Sequence, residues 1–471
     1  MGKQMGKQVI IVEPRGVPAN VFAEYLRLPL MGTLYLGTIL KRAGYEVKVM
    51  NENLLGRDLT MSDLKADYLL LSLLTPTAER GYELAQKFRA LNPGSRVIIG
   101  GIHPSFLPEE AVPFADNVVV GEGEGIIADL VKYGSDQKIV TGSRIENLDD
   151  VPVPDFSLLM GYRKLKITPV ITSRGCPFGC NFCSVTEMFG RGYRATSVER
   201  VMEELAQAPT RQVFFYDDNF TANRKRTHAL LDQMIASKVK LHWSAQVRAD
   251  VTQDPDLVAK MRRTGCNRVY VGFESINSET LAAMKKKQTR EDVEKAIRIF
   301  HKNKINIHGM FMFGSDEDTP KVFEETSAFC RENHISSVQF MILTPLPGTA
   351  LFKKLEQENR LLHRMWSYYD GMHAVFQPRA LPPSELQHGM LEAYEDFYSY
   401  LNIMNDGINV FFETAQEKAS SVFTRLSYNS LESALIKMKA RAIVRKFGGV
   451  NQEYLSYLKG IRMGKTSKGL A

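Results

Sequence analysis

Two runs of alternating strand-like and helix-like segments constrain the fold of this chain more than any other feature. From residue 8 to residue 145, short apolar segments such as 9–14 and 68–74 alternate with helical stretches such as 31–44, which Gly44 closes. Short apolar strands separated by helices are typical of a parallel sheet covered on both faces. Residues 1–146 are therefore predicted to form a doubly wound, Rossmann-like α/β domain.

A second strand–helix series follows a Pro- and Asp-rich linker at 147–156 and predicts a partial (β/α)6 barrel over residues 147–360. Its six predicted strands are 167–173, 212–218, 241–247, 268–274, 306–314 and 337–345. In barrels of this kind, functional side chains lie at the C-terminal ends of the strands.

The remaining residues, 361–471, predict a helical region with a basic tail. One helix is expected over 381–402, with Ser384 as its capping residue, and another over 431–447. The second helix places an apolar face opposite its basic residues; that face comprises Leu431, Leu435, Met438 and Ala442. The chain has a formal net charge of +7, and residues 420–471 alone contain ten Lys or Arg against two acidic residues.

The hydropathy pattern and the cysteine content exclude several protein classes. No run of 18 apolar residues occurs, so no transmembrane helix is expected, and the N-terminus lacks the features of a secretory signal. Five cysteines cannot form a complete disulfide framework, and three of them lie within eight residues. This distribution indicates a metal site in a protein of the reducing cytoplasm.

The cysteine motif is SRGCPFGCNFCS, residues 173–184, in which Cys176, Cys180 and Cys183 have C-x3-C-x2-C spacing. Thiolates are the usual ligands of iron–sulfur clusters, and three of them on one loop leave the fourth iron of a cubane open. Zinc is the alternative, but structural zinc usually takes four ligands, and no fourth Cys or His lies nearby. Cys266 and Cys330 are expected to be buried thiols rather than ligands.

This motif, at the end of a first barrel strand, resembles that of the radical S-adenosylmethionine (SAM) superfamily over residues 165–350. The resemblance implies a [4Fe-4S] cluster on the three cysteines, with SAM chelating the open iron. It also implies that one electron cleaves SAM to methionine and a 5′-deoxyadenosyl radical. Phe182 matches the aromatic residue that in this family packs near adenine.

The resemblance also implies SAM contacts at successive strand ends. Asp217, Asp218 and Glu274 are candidates for the SAM amino group or ribose, Gln246 and Arg248 follow the third strand, and Arg248 suits the carboxylate. The backbone of Phe311 and Met312 falls where the family reads adenine. The alternative for some of these is helix capping, since Asp218 and Ser275 precede helical stretches.

The N-terminal domain resembles cobalamin-binding domains, which carry a D-x-H-x-x-G, an S-x-L and a G-G signature. Ser72 to Leu74 and Gly100–Gly101 match the last two, and Gly32 fits the first, but Arg27 and Pro29 replace its Asp and His. Cobalamin without an axial histidine is therefore predicted. Hydroxyls for its nucleotide tail would come from Ser72, Thr75 and Thr77, and Gly100 and Gly101 would let the backbone approach.

A degenerate domain that binds no cofactor is the alternative for the whole N-terminal unit. The GEGEG segment at 121–125 is interpreted as a turn near the cofactor, and His103 as a loop residue that could face it. Among residues 367–378, four are expected either to line the barrel mouth or to pack between domains: Tyr368, Tyr369, Asp370 and His373.

The domain order resembles the cobalamin-dependent class of radical SAM enzymes, which includes radical C-methylases, hopanoid methylase and anaerobic porphyrin ring cyclase. The segments 344–352 and 367–378 resemble that group as well. The resemblance implies anaerobic C-methylation of an unactivated carbon in a lipid, tetrapyrrole or other metabolite. Radical cyclisation, oxidation or carbon–carbon coupling is the alternative within enzymes, and a non-catalytic cobalamin or iron–sulfur sensor is the alternative outside them.

The expected partners follow from this resemblance and from the basic tail. A ferredoxin or flavodoxin would supply the electron. The tail favours contact with an anionic membrane surface, so the protein is expected in the cytoplasm and peripherally at the membrane. Nucleic acid is the alternative partner. No RNA-binding module is recognisable in the sequence, so binding to nucleic acid is not expected. A solvated basic face is the remaining interpretation.

Overall fold

The computed structural model describes residues 6–16, 27–404 and 423–462. Its N-terminal unit contains a six-stranded parallel sheet in the order β2-β1-β3-β4-β5-β6. Its strands are β1 (Gln8–Glu13), β2 (Glu46–Asn51), β3 (Tyr68–Ser72), β4 (Arg96–Gly100), β5 (Asn117–Val120) and β6 (Ile139–Thr141). Its helices are α1 (Met31–Arg42), α2 (Glu52–Leu55), α3 (Ala78–Leu91), α4 (Ile102–Phe106), α5 (Pro108–Ala111) and α6 (Ile127–Tyr133).

The doubly wound arrangement is confirmed, because separate hydrophobic cores cover the two faces of this sheet. Leu34 of α1 and Leu130 of α6 lie in one core, and Leu84 and Phe88 of α3 lie in the other. The sequence predicted five strands and missed β6. This edge strand has three residues in a polar segment, and its pairing with β5 creates it.

The second unit is a six-stranded parallel sheet in the order β14-β13-β12-β11-β10-β7, which confirms the partial barrel. Its strands are β7 (Thr168–Val170), β10 (Gln212–Phe215), β11 (His242–Val247), β12 (Cys266–Glu274), β13 (Asn306–Phe313) and β14 (Ser337–Ile342). A two-stranded antiparallel ladder of β8 (Ser173–Arg174) and β9 (Arg194–Ala195) flanks the cysteine loop. The helices are α7 (Ser184–Phe189), α8 (Val198–Ala206), α9 (Arg224–Ala236), α10 (Pro255–Arg263), α11 (Ser278–Ala283), α12 (Arg290–Lys302) and α13 (Val322–Glu332).

The C-terminal region is helical and packs on the barrel. It contains α14 (Ala350–Gln357), α15 (Pro383–Phe397), α16 (Phe423–Val450) and α17 (Gln452–Arg462). Phe447 and Tyr454 belong to the same hydrophobic core as Phe340 of β14. The boundaries at residues 146 and 360 stay predictions. Within the described residues, no helix is long and apolar enough to span a membrane.

Two predictions for this region were wrong. Ser384 does not cap α15, because the helix begins at Pro383, whose ring already holds the helical φ, and Pro382 occupies the N-cap position. The apolar face predicted for α16 is not its packed face: Leu435 is 45% exposed and Met438 46% exposed. The helix instead buries the side containing Val444 and Phe447. The side chain of Leu431 lies outside the described residues.

Candidate active site between the barrel mouth and the N-terminal sheet

The three cysteines lie on the loop between β8 and α7, and all three are partly exposed. Burial raises the pKa of Cys183 to about 11 and raises that of Cys176, and the neighbouring Cys180 adds to both shifts. Without a metal such thiols stay protonated, and binding to iron as thiolates would release their protons. The donor set fits three corners of an iron–sulfur cluster.

Two adjacent aspartates hold the loop that leads into the cysteines. Asp217 accepts hydrogen bonds from the Thr172 amide (2.8 Å) and the Ser173 hydroxyl (2.7 Å), while Asp218 accepts from the Gly175 amide (3.1 Å). Burial raises the pKa of both carboxyl groups, that of Asp217 to about 6. Asp217 is 2% exposed, so it orders the loop from beneath, and its predicted contact with SAM stays a prediction.

Gly175, immediately before Cys176, is required by the backbone. Its φ is +86°, and a Cβ there would lie 2.3 Å from the carbonyl oxygen of Gly192. Only glycine adopts this conformation without strain. This tight turn therefore sets the direction in which the cysteine loop leaves the β8–β9 ladder.

Arg248 follows β11 and lies under the cysteine loop. Its guanidinium stacks on Phe178, 3.9 Å from the ring centroid, and Nη2 donates to the carbonyl of Lys286 at 2.5 Å. Its Nε is buried without a hydrogen-bond partner, with an Asp250 carboxylate oxygen 3.7 Å away. A buried, unused guanidinium donor is suited to a ligand carboxylate, as predicted for SAM.

Glu274 ends β12 in a left-handed conformation, with φ +63°, at an irregularity in the pairing with β13. Lys286 Nζ donates to its Oε1 at 2.5 Å, and both side chains are buried. Lys286 therefore connects Glu274 and Arg248, the first through its ammonium group and the second through its carbonyl. Sequence reasoning missed Lys286, because a lysine in the run 285–287 looks like part of a solvated face.

The other predicted SAM contacts lie around the same mouth. Phe182 packs against the barrel core, and Gln246 is half-buried, with its carbonyl accepting from the Phe220 amide at 3.0 Å. The Phe311 ring is buried in the core, 5.6 Å from that of Phe273. Met312 is 8% exposed at the end of the same strand. Their direct contacts with SAM stay predictions.

A cavity of about 220 Å³ joins the two units. On the side of the N-terminal sheet it is lined by Gly32, Tyr35, Ser72, Gly100, Gly101, Gly121, Glu122, Gly123 and Glu124. On the barrel side it is lined by Ser173, Arg174, Met188, Phe189, Tyr216 and Asp218. A Cβ at Gly32 would meet no atom within 4 Å, so bare backbone leaves open space on this wall. The bare backbone of these walls lets a cofactor approach closely.

The predicted hydroxyl ligands separate into two groups. Ser72 lies on the cavity wall, whereas Thr75 and Thr77 are buried and do not line the cavity. The Thr77 hydroxyl accepts from the Leu74 amide at 3.1 Å and shapes the turn that follows β3. A contact of these two threonines with a nucleotide tail stays a prediction.

Among the described residues that line this wall, no imidazole replaces the missing histidine. Pro29 is buried, and the Leu30 amide donates to Glu13 at 3.0 Å. Burial raises the pKa of Glu13 to about 7, opposed by hydrogen bonds from Thr33, Leu30 and Asn51. Glu13 thus ties the start of α1 to the end of β1, where the D-x-H-x-x-G signature would otherwise lie.

The GEGEG turn forms a buried ionic junction with the barrel unit, which the sequence did not predict. Glu122 pairs with Arg194 at 2.5 Å and with Arg174 at 3.4 Å, while Glu124 pairs with Arg174 at 2.5 Å. Arg174 directly precedes Gly175 and the cysteines. The turn therefore fixes the cavity wall of one unit relative to the cysteine loop of the other. Its residues line the cavity, and its nearness to a cofactor stays a prediction.

The C-terminal candidates serve domain packing. Asp370 and His373 form a buried pair at 3.0 Å, and His373 also contacts Asn451 at 2.7 Å. His103 does not line the cavity: it is fully buried, with its ring 5.3 Å from that of Trp366. The Tyr369 ring is likewise buried. Of the two interpretations of this segment, the structure supports domain packing.

Two family models match the chain: the radical SAM superfamily over residues 170–330 and the B12-binding domain over residues 24–131. The bacteriochlorophyllide d C-12(1)-methyltransferase of Chlorobaculum tepidum is 30% identical over 352 residues, which cover 72% of this chain and 76% of the relative. The chain belongs to the cobalamin-dependent radical SAM family. This radical SAM protein is therefore an enzyme, and its three cofactors are a [4Fe-4S] cluster, SAM and cobalamin.

Other relatives agree with this assignment. The anaerobic magnesium-protoporphyrin IX monomethyl ester cyclase of Cereibacter sphaeroides is 27% identical to this radical SAM enzyme, over 77% of the chain and 66% of the relative. The solved structure of the cobalamin-dependent SAM radical enzyme OxsB, with aqua-cobalamin and SAM bound, has a TM-score of 0.65 at 14% identity. It covers 99% of this chain and 82% of its own, so the two proteins share the fold.

Proposed function

We propose that this radical SAM enzyme methylates an unactivated carbon of a tetrapyrrole. The observation that carries the proposal is the single cavity bounded by the Gly100–Gly101 wall on one side and by Arg174 and Asp218 of the cluster side on the other. A methyl donor and a radical source can reach one substrate carbon only if both face the same space. Two relatives are named for reactions on tetrapyrroles, which supports this substrate class over a polycyclic lipid.

An unactivated carbon offers no acidic proton and no leaving group, so acid–base residues cannot start the reaction. The cofactors supply hydrogen abstraction and the methyl group, and the protein positions them. At the barrel mouth, Arg248 presents a cation and Glu274, paired with Lys286, presents an anion. These charges suit the carboxylate and the amino group of the amino acid part of SAM. The Glu122–Arg174 junction holds the two cofactor walls at a fixed separation.

The test is an anaerobic incubation of the cobalamin-loaded enzyme with SAM, dithionite and a panel of bacteriochlorophyllides and magnesium porphyrins. We expect methionine, 5′-deoxyadenosine and a product heavier by one methylene group. Cys176→Ala should abolish all three and the iron–sulfur absorption, whereas the control Cys266→Ala, which removes a buried thiol outside the site, should retain them. If the wild-type enzyme forms no more 5′-deoxyadenosine than Cys176→Ala, the proposal is wrong.

A second candidate is radical ring closure or oxidation without methyl transfer, favoured by the 27% identity to a magnesium-protoporphyrin ester cyclase. SAM with a deuterated methyl group separates the two reactions. Methylation places the label in the product, whereas cyclisation yields an unlabelled product that has lost hydrogen.

We also propose that the enzyme associates peripherally with anionic membranes, where hydrophobic substrates partition. Leu401 is 73% exposed and Met404 60% exposed, and Leu435 and Met438 are exposed on α16, which also exposes Lys439. Apolar side chains beside cations suit an anionic lipid surface, where each cation contributes about 1 kcal/mol to binding.

Co-sedimentation of the enzyme with phosphatidylglycerol vesicles should exceed that with phosphatidylcholine vesicles. The double variant Leu401→Ser/Met404→Ser should reduce the co-sedimentation. Equal sedimentation with both vesicles would argue against the proposal.

A further inference from the structure

We propose that Lys285, Lys287 and Lys353, here called the docking lysines, form the surface on which an acidic one-electron donor protein binds. This inference rests on the proposed function, because only SAM cleavage requires the electron. The donor class is a flavodoxin-like protein with a surplus of carboxylates around its flavin.

The position of the docking lysines follows from one residue of the cysteine loop. Asn181, next to Cys180, donates from its side-chain amide to the carbonyl of Ala283 at 2.9 Å. Its carbonyl accepts from the Leu351 amide at 3.0 Å. The loop is therefore held between the end of α11 and the start of α14. Two of the docking lysines follow Ala283 by two and four residues, and the third follows Leu351 by two.

The backbone separates the lysine run into an inward and an outward part. Lys285 and Lys287 have positive φ angles of 55° and 53° and are exposed. Lys286 between them is 5% exposed and pairs with Glu274 inside the barrel mouth. The run is thus not a uniformly solvated face: its middle cation belongs to the ligand site, and its outer two cations point to solvent beside the cysteine loop.

The docking lysines are also electrostatically free. Among the residues that the structure describes, none of the three side-chain ammonium groups has an ion-pair or hydrogen-bond partner, whereas that of the adjacent Lys354 lies 3.6 Å from Asp316. Pro177 and Gly179 expose the outer side of the same loop to solvent. An approaching protein therefore meets unpaired positive charge around the loop that holds the cluster ligands.

This arrangement suits an electron donor rather than an anionic substrate. None of the docking lysines lines the cavity between the two units. The donor flavin hydroquinone would give one electron and become a semiquinone. That electron would break the bond between the SAM sulfonium and C5′, leaving methionine and the deoxyadenosyl radical. Electron-transfer complexes have small interfaces and are short-lived, and complementary charge mainly raises their rate of association.

The first experiment measures binding. Oxidised acidic flavodoxin is titrated calorimetrically into the holoenzyme at low and at high salt. We expect Lys285→Gln/Lys287→Gln/Lys353→Gln to weaken binding about three- to tenfold at low salt, with the difference shrinking as salt screens the charges. The matched control is Lys238→Gln/Lys302→Gln/Lys304→Gln. These exposed lysines lie at the other end of the barrel, and two of them also have positive φ.

The second experiment measures 5′-deoxyadenosine formation with two reductants. With dithionite, the docking-lysine variant should match the wild-type enzyme, which also shows that it folds and binds SAM. With reduced flavodoxin, it should be slower by the same factor as its loss of affinity. Equal weakening by the control triple, or no weakening by the docking-lysine triple, would overturn the proposal. Absence of dithionite-driven cleavage in the wild-type enzyme would instead refute the proposed function.

Discussion

Lys286 shows how much one residue can organise at this site. Its ammonium group pairs with Glu274 at 2.5 Å, and its carbonyl accepts from Arg248 at 2.5 Å. A buried ion pair is not a strong source of stability by itself, but the loss of one partner leaves an uncompensated charge. Lys286 is thus a positioning residue for the two groups that are predicted to hold SAM.

We predict that Lys286→Met lowers the free energy of unfolding by about 3–5 kcal/mol, because Glu274 is left buried without a partner. The affinity for SAM should fall at least about tenfold, equivalent to about 1.4 kcal/mol. Urea unfolding and equilibrium dialysis measure the two effects.

The double variant Glu274→Gln/Lys286→Met separates stability from binding. It should recover part of the lost stability, since no buried charge remains unpaired, but not the affinity for SAM. Lys285→Met is the control and should bind SAM as the wild-type enzyme does, because that side chain points to solvent. Wild-type SAM affinity in Lys286→Met would contradict the assigned role.

The two adjacent glycines at the end of β4 act at the scale of the element. Gly101 has φ +107°, and a Cβ there would lie 2.6 Å from the backbone nitrogen of Leu73. At Gly100 the nearest atom to an added Cβ is Cβ of Val119 at 3.5 Å, an ordinary contact. Gly101 is required because the backbone after β3 passes so close to it, whereas Gly100 only keeps the cavity wall bare.

We therefore predict that alanine at Gly101 lowers stability, whereas alanine at Gly100 lowers cobalamin binding. Gly101→Ala should destabilise the fold, by about 1–3 kcal/mol for the strained backbone and more for the clash. Gly100→Ala should unfold close to the wild-type temperature but retain less cobalamin after anaerobic gel filtration. Thermal unfolding of the cofactor-free protein and the corrinoid absorption spectrum measure the two outcomes. Equal destabilisation by both substitutions would show that Gly100 has no separate role at the cavity.

At the scale of the whole molecule, His373 connects the C-terminal helices to the barrel. Its ring contacts Asp370 at 3.0 Å and Asn451, before α17, at 2.7 Å. Burial lowers the pKa of His373, but the Asp370 carboxylate and Asn451 outweigh it and raise the pKa above the ordinary 6.5. Folding therefore favours the protonated imidazole.

A raised folded pKa means that this stabilisation is complete below about pH 6.5 and is lost as the pH rises through the folded pKa. We predict that His373→Gln costs more unfolding free energy at about pH 6 than at about pH 9. Urea unfolding at both pH values measures the difference. His388→Gln is the surface control, because His388 is 64% exposed on α15, where it lies 3.3 Å from Glu392. A pH-independent cost for His373→Gln would show that the pair is not ionised.

Local patterns in the sequence were sufficient for both parallel sheets, for the cysteine loop after the first barrel strand, and for the glycine pair at the end of β4. These features depend on apolar periodicity, on ligand spacing and on backbone conformations that few residues adopt. They are properties of neighbouring residues, so a single chain reveals them. Edge strand β6 was missed because pairing rather than composition creates it.

What only the tertiary structure decided is which distant side chains meet. The partner of Glu274 is a lysine hidden in a run of three, and the GEGEG turn meets Arg174 and Arg194 across the boundary between two units. The buried face of α16 contains Val444 and Phe447 rather than the longer apolar stripe. Ion pairs and packed faces depend on which surface a neighbouring element presents, and that information lies in the assembled fold rather than in any local pattern.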